Sequence, residues 1–204
     1  LNKVIKIGIG GALVPIFLLV IVFLILIGGP DGTGKEPNKE SGEDALPTTI
    51  INGIGFPYAE GTYVTFTQGF WTNVKDAMPW WGGQIPPYVR GMHPGVDYSA
   101  GSGTSILAIL PGEVVFTGYN GGFGNHIIIH SVLEGGRDIY VLYGHFSRTL
   151  AKVGEHKTLG EVVGEEGSTG LSTGSHVHIE IAENYDHGQF IGTIDYRKLR
   201  EGGD

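Results

Sequence analysis

Four histidines and one aspartate, grouped in three short stretches, are the residues of this sequence best suited to chemistry. The first stretch runs Gly-Met-His-Pro-Gly-Val-Asp-Tyr from Gly91 to Tyr98. It sets His93 and Asp97 four apart with Pro94 and Gly95 between them, which describes a turn entering a strand and not a helix. Such a turn can bring an imidazole and a carboxylate to one point. The second stretch is Gly-Ser-His-Val-His-Ile-Glu from Gly174 to Glu180. On a strand, His176 and His178 project from the same face about 7 Å apart, while Val177, Ile179 and Ile181 form an apolar face opposite. The third is Leu-Tyr-Gly-His-Phe from Leu142 to Phe146, where His145 ends a strand.

Two neutral imidazoles and one carboxylate, with a fourth position left open for water, make a usual catalytic zinc set. Calcium would take more oxygens, and metals that prefer thiolates find no cysteine here. Two further histidines suit the remaining needs of a hydrolytic site, because their pKa lies near the working pH. Those needs are a group to orient the water and a donor for the oxyanion or leaving amine. The His-Glu-x-x-His helix of many zinc proteases is absent. Taken singly, each stretch also has an ordinary reading: a chance His/Asp pair, two exposed histidines on a strand, a capped strand end. His126, His130, His156 and His187 fit none of the stretches and read as structural or surface residues.

The elements that must carry these residues are strands. After Ile50 the sequence consists of short apolar runs punctuated by glycine, of which the chain has 36. Thr104–Leu110, Glu113–Tyr119, Asn125–Val132 and Arg137–His145 read as strands, the last two joined by a Gly135-Gly136 turn. Val162–Gly164 and His176–Ala182 are two more. No run between residues 100 and 182 has a helical period. The expected fold is all-β, an antiparallel β-sandwich or open barrel. Trp71 to Arg90, with Trp80, Trp81, Pro86 and Pro87, reads as a surface loop pinned by aromatics; the alternative is a groove wall or lid over the site.

Ahead of this domain lie two different segments. Ile7 to Gly29 has no charged residue, long enough to cross a hydrocarbon core of about 30 Å as a helix. Lys3 and Lys6 precede it, and an acid-rich stretch follows, so the N-terminus is expected in the cytoplasm and the remainder outside. A cleaved signal peptide would have a shorter apolar region and a small-residue cleavage site, neither of which is evident. Pro30 to Thr49 is rich in Gly, Pro, Glu and Lys and reads as a solvated linker. The organisation is therefore an anchor over 1–29, a linker over 30–49 and a domain over 50–204. The net charge of −8 argues against a nucleic-acid partner, which would need a basic face.

From about Val64 to Ile181 the sequence resembles the lysostaphin-like (LytM-type) zinc metallopeptidases, peptidoglycan endopeptidases. The likeness is collinear. Thr-Gln-Gly-Phe (67–70) comes first, then His93-x-x-x-Asp97, Gly103-Thr104, and Pro-Gly-Glu-Val-Val (111–115). Gly124-Asn125, Tyr-Gly-His (143–145), Gly-Ser-Thr-Gly (167–170) and Thr-Gly-Ser-His-Val-His-Ile-Glu-Ile (173–181) follow in order. The resemblance implies that His93, Asp97 and His178 bind one zinc ion. It also implies that His145 and His176 are catalytic, positioning the water and stabilising the tetrahedral intermediate. The implied activity is hydrolysis of peptide bonds in peptidoglycan cross-links, outside the membrane of a bacterium. The alternative is a degenerate, non-catalytic module of this family that serves as a scaffold or activates amidases. Two departures stand out. Phe70 is followed by Trp71 where the family has Gly-x-Arg, and His145 is followed by Phe146 where Leu is commoner.

Overall fold

In the computed structural model, residues 45–72, 91–186 and 189–202 are described. The expected anchor, residues 30–44 of the expected linker, residues 73–90 of the aromatic loop and His187 lie outside the described residues. Among the described residues no helix is long and apolar enough to cross a membrane.

The described chain is built from antiparallel strands: β1 (Thr65–Gln68), β2 (Val96–Ser99), β3 (Ser105–Leu107), β4 (Gly112–Asn120), β5 (Gly124–Val132) and β6 (Asp138–Phe146). After them come β7 (Arg148–Thr149), β8 (His156–Lys157), β9 (Val162–Glu165), β10 (Val177–Asp186) and β11 (Gln189–Ile194). A short helix, α1 (Tyr196–Glu201), closes the described chain. The larger sheet has the order β1-β2-β10-β6-β5-β4-β8, with β11 also paired to β10. The smaller has the order β3-β9-β7. The fold is thus all-β and antiparallel, as the strand patterns require.

One buried cluster joins the two sheets. Ile106 and Val163 enter it from the small sheet; Ile127, Ile129, Ile139, Val141, Tyr143, Val177, Ile179 and Ile181 enter from the large one. The last three are the odd-numbered face of β10, each fully buried, and each is worth about 1.5–3 kcal/mol of burial. Alternation therefore turns the even-numbered residues of β10, His178 and Glu180, to the opposite face of the large sheet.

The domain starts earlier than residue 50. Leu46 N–H donates to Gly160 O at 2.9 Å, and buried Thr48 donates through Oγ1 to Phe56 O and Tyr58 O at 2.7 and 3.0 Å. A polar composition hid these contacts, because they are made through main-chain groups and one threonine hydroxyl. Helix α1 was not read from the sequence, although Asp195 caps its start and Gly202, at φ 83°, its end. Six residues are too few to be stable alone; Tyr196 and Leu199 are buried, and Tyr196 Oη donates to Gly55 O at 2.7 Å.

Glu166 ties three loops together. It is fully buried, and its carboxylate accepts from Tyr58 Oη (2.8 Å), Ala100 N–H (2.8 Å), Gly101 N–H (3.1 Å), Ser99 Oγ (3.1 Å) and Ser175 Oγ (2.7 Å). Burial alone raises this carboxyl. The Ala100, Ser175, Tyr58 and Gly101 donors outweigh burial and hold it below its ordinary value. Its contribution is present above the unfolded carboxyl pKa and is lost as pH falls through the lower folded value. Glu166→Gln is expected to cost about 1–3 kcal/mol at neutral pH in denaturant unfolding. The gap from the wild type should narrow once pH drops below about 4.

Candidate active site

The site lies on the face of the large sheet away from the core. Strand β10 is central: His178 stands across from Asp97 of β2 on one side and from Gly144 of β6 on the other. The absence of a side chain at Gly144 leaves that side of His178 open to groups from farther along β6.

His93 arrives from the turn before β2. Its main chain is fixed by hydrogen bonds with Thr72 O (2.9 Å) and Trp71 N–H (2.7 Å), and its Nδ1–H donates to Gly69 O at 3.0 Å. The turn backs directly onto His178. A Cβ on Gly95 would come within 2.7 Å of His178 Cε1 and 2.9 Å of its Nε2, and would collide with Ile179 O. Only glycine allows so close an approach.

His145 reaches the site through a bulge. The pairs Asn125↔Phe146 and Ile127↔Tyr143 leave His126 opposite two residues, Gly144 and His145. Tyr143 and Phe146 both lie fully buried in the core cluster although they are three apart, a spacing that strict alternation forbids. The extra residue resolves the conflict: His145 takes a left-handed backbone with φ 64° and leaves the core side for the site side. Its N–H donates to Phe123 O at 2.7 Å, and its Nδ1–H to Thr169 O at 2.8 Å. His176, just ahead of β10, donates Nδ1–H to Gly174 O at 2.8 Å.

All five residues singled out by the sequence come together. His93, Asp97 and His178 are buried and form a group able to hold a metal ion. His93 Nε2 is 2.9 Å from His178 Nδ1 and 3.1 Å from Asp97 Oδ1, and His178 Nδ1 is 2.9 Å from the same oxygen. A tetrahedral zinc with bonds of about 2.0–2.2 Å sets its ligand atoms about 3.3–3.6 Å apart, so this near-equilateral triangle needs only slight widening. The donor set, two nitrogens and one carboxylate oxygen, fits zinc. His176 Nε2 lies 3.5 Å from Asp97 Oδ2. The ring of His145 is centred 4.5 Å from that of His176 and 5.9 Å from that of His178.

The electrostatics follow from this crowding. Burial alone raises the Asp97 carboxyl, but hydrogen bonds from His178 and His93 hold it far below the carboxylate range. Burial lowers His178, yet Asp97 and Glu180 overcome it and lift the ring to about 9. His145 is pushed down to about 3, first by burial and then by His176 and His178, so it stays uncharged.

The other described histidines, His126, His130 and His156, stand apart from the metal-binding group. His126 is buried, hydrogen-bonded through Nδ1 to Gly124 O (2.9 Å) and stacked on Phe116. His130 pairs with Asp138 at 2.7 Å and stacks on Tyr140, and His156 is exposed on β8. Two site neighbours had no role in the sequence reading. Phe123 stacks on His178 with centroids 5.6 Å apart, and Glu180 Oε2 lies 3.6 Å from His178 Nε2. Glu180 could have been found, since strand alternation puts it on the face of His178; Phe123 comes from a turn and had no such signal.

Residues 91–193 match Peptidase family M23, half of the chain, and the chain belongs to that family. It is 39% identical over 93 residues to the DD-carboxypeptidase/endopeptidase Mpg of Neisseria meningitidis serogroup B, covering 46% of this chain and 20% of that protein. It is 39% identical over 97 residues to the peptidoglycan DD-endopeptidase ShyC of Vibrio cholerae, covering 47% and 21%. The matched stretch is thus about a fifth of the length of these relatives. Among solved structures, the catalytic domain of lysostaphin from Staphylococcus simulans superposes with a TM-score of 0.53 at 26% identity, over 67% of this chain and 92% of that one.

The close approach at Gly95 is testable. Gly95→Ala is expected to lose about 1–3 kcal/mol through overpacking, read as a fall in Tm. Gly174→Ala, whose Cβ meets nothing within 4 Å, should stay within about 0.5 kcal/mol of the wild type.

Proposed function

We propose that this chain is a zinc-dependent endopeptidase that hydrolyses peptide cross-links of bacterial peptidoglycan. In this reading, residues 7–29 hold it in the cell membrane with the domain on the outer, cell-wall side. One observation carries the catalytic part: two imidazole nitrogens and a carboxylate oxygen converge within about 3 Å, and two further imidazoles face the same point. Membership of the family and the likeness to Mpg and ShyC support the reaction class and the substrate. The uncharged run from Ile7 to Gly29 and the acid-rich stretch after it support the location.

His93 through Nε2, Asp97 and His178 through Nδ1 would hold the ion. Zinc bound there supplies Lewis acidity, which lowers the pKa of a water molecule and polarises the scissile carbonyl. The chain's own contribution is orientation and proton handling. His145 donates Nδ1–H to Thr169 O, which leaves its Nε2 lone pair to accept a hydrogen bond from the attacking water. The uncharged ring suits that acceptor role. His176, held by Gly174 O and adjacent to His145, presents Nε2 to the same space. A hydrogen presented at that nitrogen would stabilise the developing oxyanion, and the proton that His145 takes from the water can pass to the departing amine as the C–N bond breaks.

Three variants separate ligation from catalysis. Asp97→Ala and His178→Ala are expected to lose stoichiometric zinc, measured by elemental analysis after dialysis. His145→Ala should keep zinc and lose wall hydrolysis by about 10²-fold or more. Zinc at wild-type occupancy in the first pair would sink the ligand assignment. Mass spectrometry of products from purified peptidoglycan tests the substrate: a defined peptide cleavage is expected, and uncut material with zinc-loaded protein favours the non-catalytic module.

A further inference from the structure

Three of the four site imidazoles are oriented alike. His93, His145 and His176 each direct Nδ1 at a main-chain carbonyl, of Gly69 (3.0 Å), Thr169 (2.8 Å) and Gly174 (2.8 Å) respectively. A carbonyl only accepts, so each Nδ1 carries a proton and each Nε2 is turned to the site. His178 is reversed. Its Nδ1 faces His93 and Asp97, so Nε2 must hold the hydrogen if Nδ1 is to bind a metal. No main-chain carbonyl receives that hydrogen. His178 Nε2 and Glu180 Oε2 are both buried with no hydrogen-bond partner among the described residues, and they lie 3.6 Å apart. The two side chains are each 5% exposed.

We propose that Glu180 is a positioning residue for the metal ligand His178: its carboxylate receives Nε2–H, selects the tautomer with a free Nδ1 and fixes the plane of the ring. The inference rests on the reading of His178 as a ligand. Strand geometry makes the pairing possible, because residues two apart on β10 share a face. Energetics make it specific. A buried carboxylate oxygen without a donor is costly, and the imidazole N–H is the complementary group in reach. A carboxylate behind a ligating imidazole also raises the basicity of the coordinating nitrogen, and losing such a partner typically costs about 10–100-fold in metal affinity.

The test measures zinc affinity of the full chain by competition with a chromogenic chelator. Glu180→Leu, close in volume but without an acceptor, is expected to bind zinc about 10–100-fold more weakly. Glu180→Gln, which keeps a carbonyl oxygen at the same reach, should recover most of that loss. Nitrogen-15 NMR of the zinc-loaded wild type should show the His178 proton on Nε2, slow to exchange with solvent. Wild-type affinity in Glu180→Leu overturns the proposal, as does a loss in Glu180→Gln equal to that in Glu180→Leu, since an acceptor oxygen would then count for nothing at that position. Asp97→Ala serves as the control. If it loses zinc while Glu180→Leu does not, only the positioning role fails; if it keeps zinc, the ligand reading itself fails.

Discussion

The register between β2 and β10 sets Asp97 directly across from His178, and a slip of one residue would turn one of them into the core. That register is held from behind. Val96, Val177 and Ile179 flank the pair in sequence and are fully buried between the sheets. The polar pair therefore sits where it does because its apolar neighbours cannot be anywhere else. His93 then needs only a four-residue turn to meet Asp97, and glycine at position 95 lets that turn lie against the ring it serves.

The same crowding governs how the group takes up charge. One carboxylate faces three imidazoles, and a proton among them lowers the repulsion between lone pairs aimed at a common point. The pKa of His178 is lifted to about 9 because the Asp97 and Glu180 carboxylates outweigh its burial. A divalent ion at this point would replace the proton, so binding near neutrality is coupled to proton release. His145 lies on the other side of this balance: buried beside imidazoles, it is kept uncharged without any partner of its own that bears negative charge at hydrogen-bond range.

Much of this was legible in the residues because strands print their geometry in alternation. Val177, Ile179 and Ile181 against His178 and Glu180 is a two-residue period, and it predicted both the strand and its two faces. The Gly135-Gly136 turn and the long β5 and β6 strands were readable for the same reason. Other features had no such trace. The bulge at Gly144-His145 depends on the partner strand, so the sequence places His145 at the end of a strand without saying which way it faces. The carbonyls of Gly69, Thr169 and Gly174 belong to the main chain, so no residue type announces them. The packing of Ala45 to Thr49 uses backbone groups and one threonine hydroxyl, and α1, capped by Asp195 and Gly202 but only six residues long, is held by Tyr196 and Leu199 in the core.

The use of main-chain carbonyls to set three of the four rings shapes how this chain can diverge. Orientation that comes from the backbone path is indifferent to which side chain hangs from it. Position 174 faces open space, and substitutions there leave the carbonyl that holds His176 in place. Sequence drift around the histidines should therefore have abrupt limits where the path itself is constrained: at the bulge, at Thr169 and Gly170 packed on Gly124, at the turn pressed on His178, and at the carboxylate of residue 180. A lineage could change much of the surface chemistry around the site, and with it the molecules the site admits, while the imidazoles keep their aim.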